Sequence, residues 1–161
     1  MNAISQWNNF FAAEISAAAT LTGLIFVAVS INLTKILGFP GLAARAGEAL
    51  ALLMAVLLAG SFGLVPNQSQ RALGAELLAV GLTLWLMTTT LHVGQIRRKH
   101  PWKWLAYRVF LTQCATLSFC VAGIALILSH PGGLYWLIPG CIFSFVASLT
   151  TSWVLLVEIL R

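Results

Sequence analysis

The chain has 161 residues, 60% of them hydrophobic and only 8% charged, with a mean hydropathy of +0.93 and a formal net charge of +5. A soluble domain carries about a quarter charged residues, so a water-soluble globular protein is excluded. A membrane barrel would need strands of roughly ten residues with strict alternation, a period absent here, so backbone hydrogen bonds in lipid have to be closed within helices.

Five apolar stretches follow in chain order, at residues 10–37, 48–65, 73–94, 105–128 and 134–159. Each is near or above the ~20 residues that cross ~30 Å of hydrocarbon as a helix. The pattern predicts an all-α integral membrane protein, a five-transmembrane-helix bundle forming a single membrane domain over residues 1–161. The first ten residues have no basic stretch, so the first span is expected to be a retained anchor, not a cleaved export signal. Trp7 and Phe10 suit its outer interface, and Pro101-Trp102-Lys103-Trp104 suits an inner one. Between the last two spans, Ser129-His130-Pro131-Gly132-Gly133 is read as a turn; read as a kink, it would make this region partly re-entrant.

Charge sets the expected orientation. With Met1 outside, Lys35, Arg45, Arg97, Arg98, Lys99, Lys103, Arg108 and Arg161 all fall at the cytoplasmic face, and only Arg71 faces out. Such a bias across short loops predicts the N-terminus outside and the C-terminus cytoplasmic. The basic segment 95–103 is read as topological charge with attraction to anionic lipid, and a nucleic-acid partner is not expected.

Small residues at four-residue spacing mark candidate helix-packing faces. The fifth span carries Gly140, Ser144, Ser148 and Ser152, and the second carries Ala51, Ala55, Ala59 and Gly63. The first adds Ala12, Ser16 and Thr20, with Ala19 and Gly23 beside them. Residues at i and i+4 share a face, and small ones there let backbones approach closely, within one chain or between subunits.

The four acids, Glu14, Glu48, Glu76 and Glu158, all lie just inside span ends. Acids in lipid should face protein, a cavity or headgroups. Glu14 and Glu76 share the outer layer, and Glu48 and Glu158 the inner one, as in two polar vestibules flanking an apolar middle. In the competing structural reading, Glu14, Glu48 and Glu76 are first-turn acids favoured by the helix dipole, and Glu158 is paired with Arg161, Lys35 or Arg45. Asn32 and His92 occupy the inner thirds of the first and third spans. Together with Glu48 and Glu158 they form a candidate polar network, either interhelical hydrogen bonding or a proton-relay or gating element at His92. Thr88, Thr89 and Thr90 precede His92, so at least one threonine should point toward any axis that helix lines. Gln113, deep in the fourth span, calls for an interhelical partner.

Enzymatic signatures are thin. Haem held between helices wants paired histidines at one depth, and only His92 lies clearly inside a span. Cys114, Cys120 and Cys141 lack metal-ligand spacing, so no metal or other cofactor is expected. There is no nucleotide loop, HExxH pair or Ser/His/Asp set, and Gly60-Ser61-Phe62-Gly63 has the wrong order for a nucleophile elbow.

Residues 17–30, Ala-Ala-Ala-Thr-Leu-Thr-Gly-Leu-Ile-Phe-Val-Ala-Val-Ser, resemble the opening of a widespread group of small, uncharacterised bacterial multi-pass inner-membrane proteins. The resemblance continues through residues 45–48, Leu64-Val65-Pro66 and the closing 153–161 segment. It implies location in a bacterial inner (plasma) membrane and brings no activity to any residue. The functional expectation is a homo-oligomeric channel or small-solute and ion permeation protein in contact with membrane lipids. The alternative is a non-catalytic membrane module that binds lipid or a partner membrane protein. Glu14, Glu76, Asn32, His92, Glu48 and Glu158 are the candidate pore or vestibule residues, and no catalytic residue is assigned.

Overall fold

A computed structural model describes residues 3–38, 41–97 and 102–157. Glu158 and Arg161 lie outside the described residues, as do Arg98, Lys99, His100 and Pro101 of the basic connection. A 3-10 turn over Ala3–Trp7 leads into α1 (Asn8–Ile31), followed by the short α2 (Leu33–Gly38) and α3 (Leu42–Gly63). Then come α4 (Gln70–Arg97), α5 (Trp102–Ile127), a second 3-10 turn (Gly133–Trp136) and α6 (Leu137–Val157). All the regular structure among the described residues is helical. Five helices, α1, α3, α4, α5 and α6, are long and apolar enough to cross a membrane. Even α6, with 21 residues, is about 32 Å long at 1.5 Å per residue.

The helix ends differ from the sequence reading in instructive ways. The first helix stops at Ile31, with Asn32 as its C-terminal cap; the Asn32 backbone amide and side-chain Nδ2 each donate to Ala28 O at 3.3 Å. The Nδ2 also donates to Leu155 O of α6 at 3.1 Å, a competition with the backbone typical of asparagine. The second span begins six residues earlier than expected, at Leu42, where Gly41 takes φ +100°, a left-handed geometry natural to glycine. The third begins at Gln70, with Ser69 Oγ accepting from the Ala72 amide at 3.1 Å as a cap. Consequently Glu14, Glu48 and Glu76 are not first-turn acids: each is the seventh residue of its helix, and no first turn contains an acid. The dipole account of these three residues is therefore withdrawn, since the effect fades beyond the first turn.

The connection after α5 is a turn between two full-length helices. Ser129 (φ +56°) and Gly132 (φ +91°) reverse the chain, and the His130 amide donates back to Ala125 O at 2.8 Å.

In the packing, α4 and α5 form the most extensive helix pair, α3 touches α1, α4 and α6, and α1 leans on α3 and α6. Phe11 and Phe119, both essentially buried, anchor a continuous apolar core that runs through Leu52, Val56, Leu77 and Leu126. The small face of α3 receives α1: a Cβ on Gly63 would lie 2.5 Å from the Phe11 ring, and one on Gly60 would lie 2.6 Å from Ile15. On that face Ala55, Ala59 and Gly63 are buried and Ala51 is half-buried. Gly140, Ser144, Ser148 and Ser152 of α6 are all buried, and the Ser148 hydroxyl donates across to Ala49 O of α3 at 3.1 Å. Outside, Phe26, Leu86, Phe110, Ile142 and Trp153 are more than half exposed. Hydrocarbon is the solvent that accepts such a surface.

Candidate functional site

The bundle is most polar inside at the end where α3 and α5 begin and α4 finishes. Glu48 and Arg108 are each the seventh residue of their helix, about 10 Å along it. His92 and Gln95 come down from the last turns of α4 to meet them at the same level. Glu48, His92, Gln95 and Thr112 are all less than a tenth exposed.

Bonding around the carboxylate is dense. His92 Nε2 donates to Oε1 of Glu48 at 2.8 Å, and the Arg108 guanidinium binds Oε2 through Nη2. The Thr112 hydroxyl is 2.9 Å from both Oε1 of Glu48 and the Arg108 carbonyl oxygen, so its one proton serves one of them at a time. Arg108 Nη1 donates to Oε1 of Gln95 at 2.9 Å. These bonds close a chain from α4 to α3, to α5 and back to α4. The charges of Glu48 and Arg108 cancel, which is the condition for burying either.

The expected inner network is thus only partly the one found. Glu48 and His92 are joined, while the Asn32 amide is committed to Ala28 O and Leu155 O. Glu158 lies outside the described residues. Arg108, assigned by its sequence position to topological charge, is instead the carboxylate's charged partner. Gln95, assigned to the basic connection, lies inside the bundle. The usable signal was periodicity: Arg108, Thr112, Ala115 and Phe119 share one face of α5, and the last three are buried. Of the threonine run, Thr88 is buried and bonds Leu84 O, Thr89 accepts from Gln113 Nε2 at 3.3 Å, and Thr90 is exposed.

No protein-family model, curated protein or solved structure matches this chain. It is a helical multi-span membrane protein, and its chemistry has to be argued from its own residues.

At the opposite end the two acids have separate surroundings. Glu14 is half-buried on α1, and its buried Oε2 has no hydrogen-bond partner among the described residues. Glu76 accepts from Gln68 Nε2 at 2.6 Å. A cavity of about 320 Å³ at this end is lined by residues of the N-terminal turn and the α3–α4 connection, among them Ile4, Asn8, Pro66 and Gln68. It approaches Glu76 through Gln68, and Glu14 does not line it. Cys120 and Cys141 are buried, Cys114 is half-buried, and no group of three His, Cys, Asp or Glu among the described residues is placed to hold a metal ion.

Proposed function

We propose that the protein is a homo-oligomeric permeation protein for ions or small solutes in a bacterial inner membrane, its N-terminus outside and its C-terminus cytoplasmic. The orientation is supported by the concentration of basic residues at the end where α3 begins. The observation that carries the reading is the open face of α1. Only 17% of this span's apolar window is buried, against 56% for α5. Its exposed side includes Ala12, Ser16, Ala19, Thr20 and Gly23. The two hydroxyls are returned to the helix's own carbonyls, Ser16 to Ala12 O at 2.9 Å and Thr20 to Ser16 O at 2.8 Å. Such a surface lets a neighbouring backbone approach closely. In this reading the path for solute runs between copies, with Glu14 and Glu76 near one mouth and the Glu48 layer near the other.

A partner membrane protein or a lipid would also fit the open α1 face, which is the basis of the alternative non-catalytic module. Native mass spectrometry from lipid nanodiscs, paired with liposome flux, separates the two. A closed ring of three to six chains that conducts supports permeation; a monomer, or a sealed dimer that does not conduct, overturns it. Gly23→Leu sharpens the test, because a Cβ on Gly23 meets nothing within 4 Å in its own chain. The variant should fold and yet lose the oligomer.

A further inference from the structure

Two atoms of the Glu48 layer have no protein partner among the described residues: His92 Nδ1 and Gln95 Nε2. Their side chains belong to residues only 3% and 7% exposed, three residues apart on one face of α4. The partners they do have fix what these atoms offer. A guanidinium only donates, so Arg108 holds the oxygen of the Gln95 amide and turns its NH2 away as a donor. A carboxylate only accepts, so the hydrogen of His92 is on Nε2. Whether Nδ1 is a lone pair or a second N–H follows from charge. Glu48 and Arg108 already cancel, and an imidazolium would add an unbalanced buried charge and set a further donor beside the donors of Gln95. With the neutral Nε2–H form, the layer offers one acceptor and one donor on residues three apart on one helix face, a pair that a single water can satisfy.

We propose that His92 Nδ1 and Gln95 Nε2 hold a water, which keeps the His92 ring neutral on Glu48 and joins it to the basic end of the bundle. Among the described side chains, the charged groups on the helices packed against His92 at this level are Glu48 and, one turn earlier, Arg45 on α3, together with Arg108 on α5. The site does not depend on whether the oligomer conducts.

The test is solid-state NMR of the full chain in liposomes with ¹⁵N-histidine. The double replacement His100→Gln, His130→Gln leaves His92 as the only histidine of three, and the positions replaced belong to the connections between spans. At pH 7.5 the expected spectrum has one protonated and one bare ring nitrogen, the bare one showing a cross-peak to water. Gln95→Leu in the same background should abolish that cross-peak while His92 stays on Glu48. Two protonated nitrogens at pH 7.5 would mean a fixed imidazolium–carboxylate pair and overturn the proposal. A bare nitrogen without water contact, or a contact indifferent to Gln95→Leu, overturns it equally. None of these readouts requires transport, so a failed flux assay leaves the result intact.

Discussion

Gly74 of α4 and Gly123 of α5 meet backbone to backbone. A Cβ on Gly123 would lie 2.8 Å from the Gly74 carbonyl oxygen and 2.7 Å from the Leu78 amide nitrogen. One helical stretch further along, a Cβ on Gly81 would lie 2.9 Å from the Cys120 amide. The largest helix contact in the protein thus depends on absent side chains, as expected where lipid supplies no hydrophobic drive between helices.

Gly123→Ala should therefore cost about 1–3 kcal/mol, since the clashing atoms are main chain and cannot swing aside. Gly94→Ala is the control: it lies on α4, and a methyl group added there would meet nothing within 4 Å. Helix propensity favours that change by up to about 1 kcal/mol. Thermal unfolding of both variants in one detergent checks the contrast, and equal melting temperatures would remove Gly123 from the contact.

Removing one member of the buried ion pair should be severe. Glu48→Gln leaves Arg108 without its counter-charge and should destabilise by about 3–5 kcal/mol. Adding Arg108→Gln to Glu48→Gln should cost less than the sum of the single replacements, the signature of direct coupling. Denaturant unfolding of the four proteins measures the coupling, and strict additivity would show that the pair contributes nothing jointly.

Ser144→Leu should disrupt folding or assembly far more than Leu149→Phe. Ser144 is fully buried on α6, whereas Leu149 is 47% exposed. A branched side chain at the first position pushes apart a seam whose value is close approach. Size-exclusion profiles and melts report the difference, and an unchanged Ser144→Leu protein would refute the seam.

Glu76→Gln should lower cation flux while costing only about 1 kcal/mol of stability, the difference between a charge-assisted and a neutral hydrogen bond to Gln68. Negative potential at a mouth concentrates cations, and the amide removes it with little change of shape. Liposome flux beside a thermal melt gives both numbers. Undiminished flux in a conducting preparation would retire the vestibule role.

Cysteines introduced at Gln68 and Gly132 should react with an impermeant reagent added outside, and one at Lys99 should not. Labelling at Lys99 from outside would invert the orientation.

The five spans were legible because burial in lipid demands long apolar runs, a signal carried by each segment alone. Their ends were not. Leu42 starts a helix after Gly41 in a left-handed turn, while the break at Asn32 accompanies a side-chain bond across to Leu155 O, and neither is visible in hydropathy. The Glu48–His92 pairing was within reach, since both lie at one depth. The pairing of Arg108 with Glu48 went unread because a charge near a span end satisfies the topological rule equally well whether it points out or in. The α4–α5 contact went unseen for a related reason. Gly74 and Gly81 are seven apart, two turns on one face, and a search for four-residue ladders passes over them.

The order of synthesis gives the Glu48 ion pair a further consequence. Arg108 follows Glu48 by 60 residues and His92 follows it by 44. At roughly 5–20 residues per second, the carboxylate waits about 3–12 s for its guanidinium. An unpaired acid at that depth resists release into lipid. We expect α3 to remain beside the insertion machinery until α5 emerges, and crosslinking of stalled chains should show it released earlier in Glu48→Leu. The pairing that balances charge in the finished bundle would then also order its assembly.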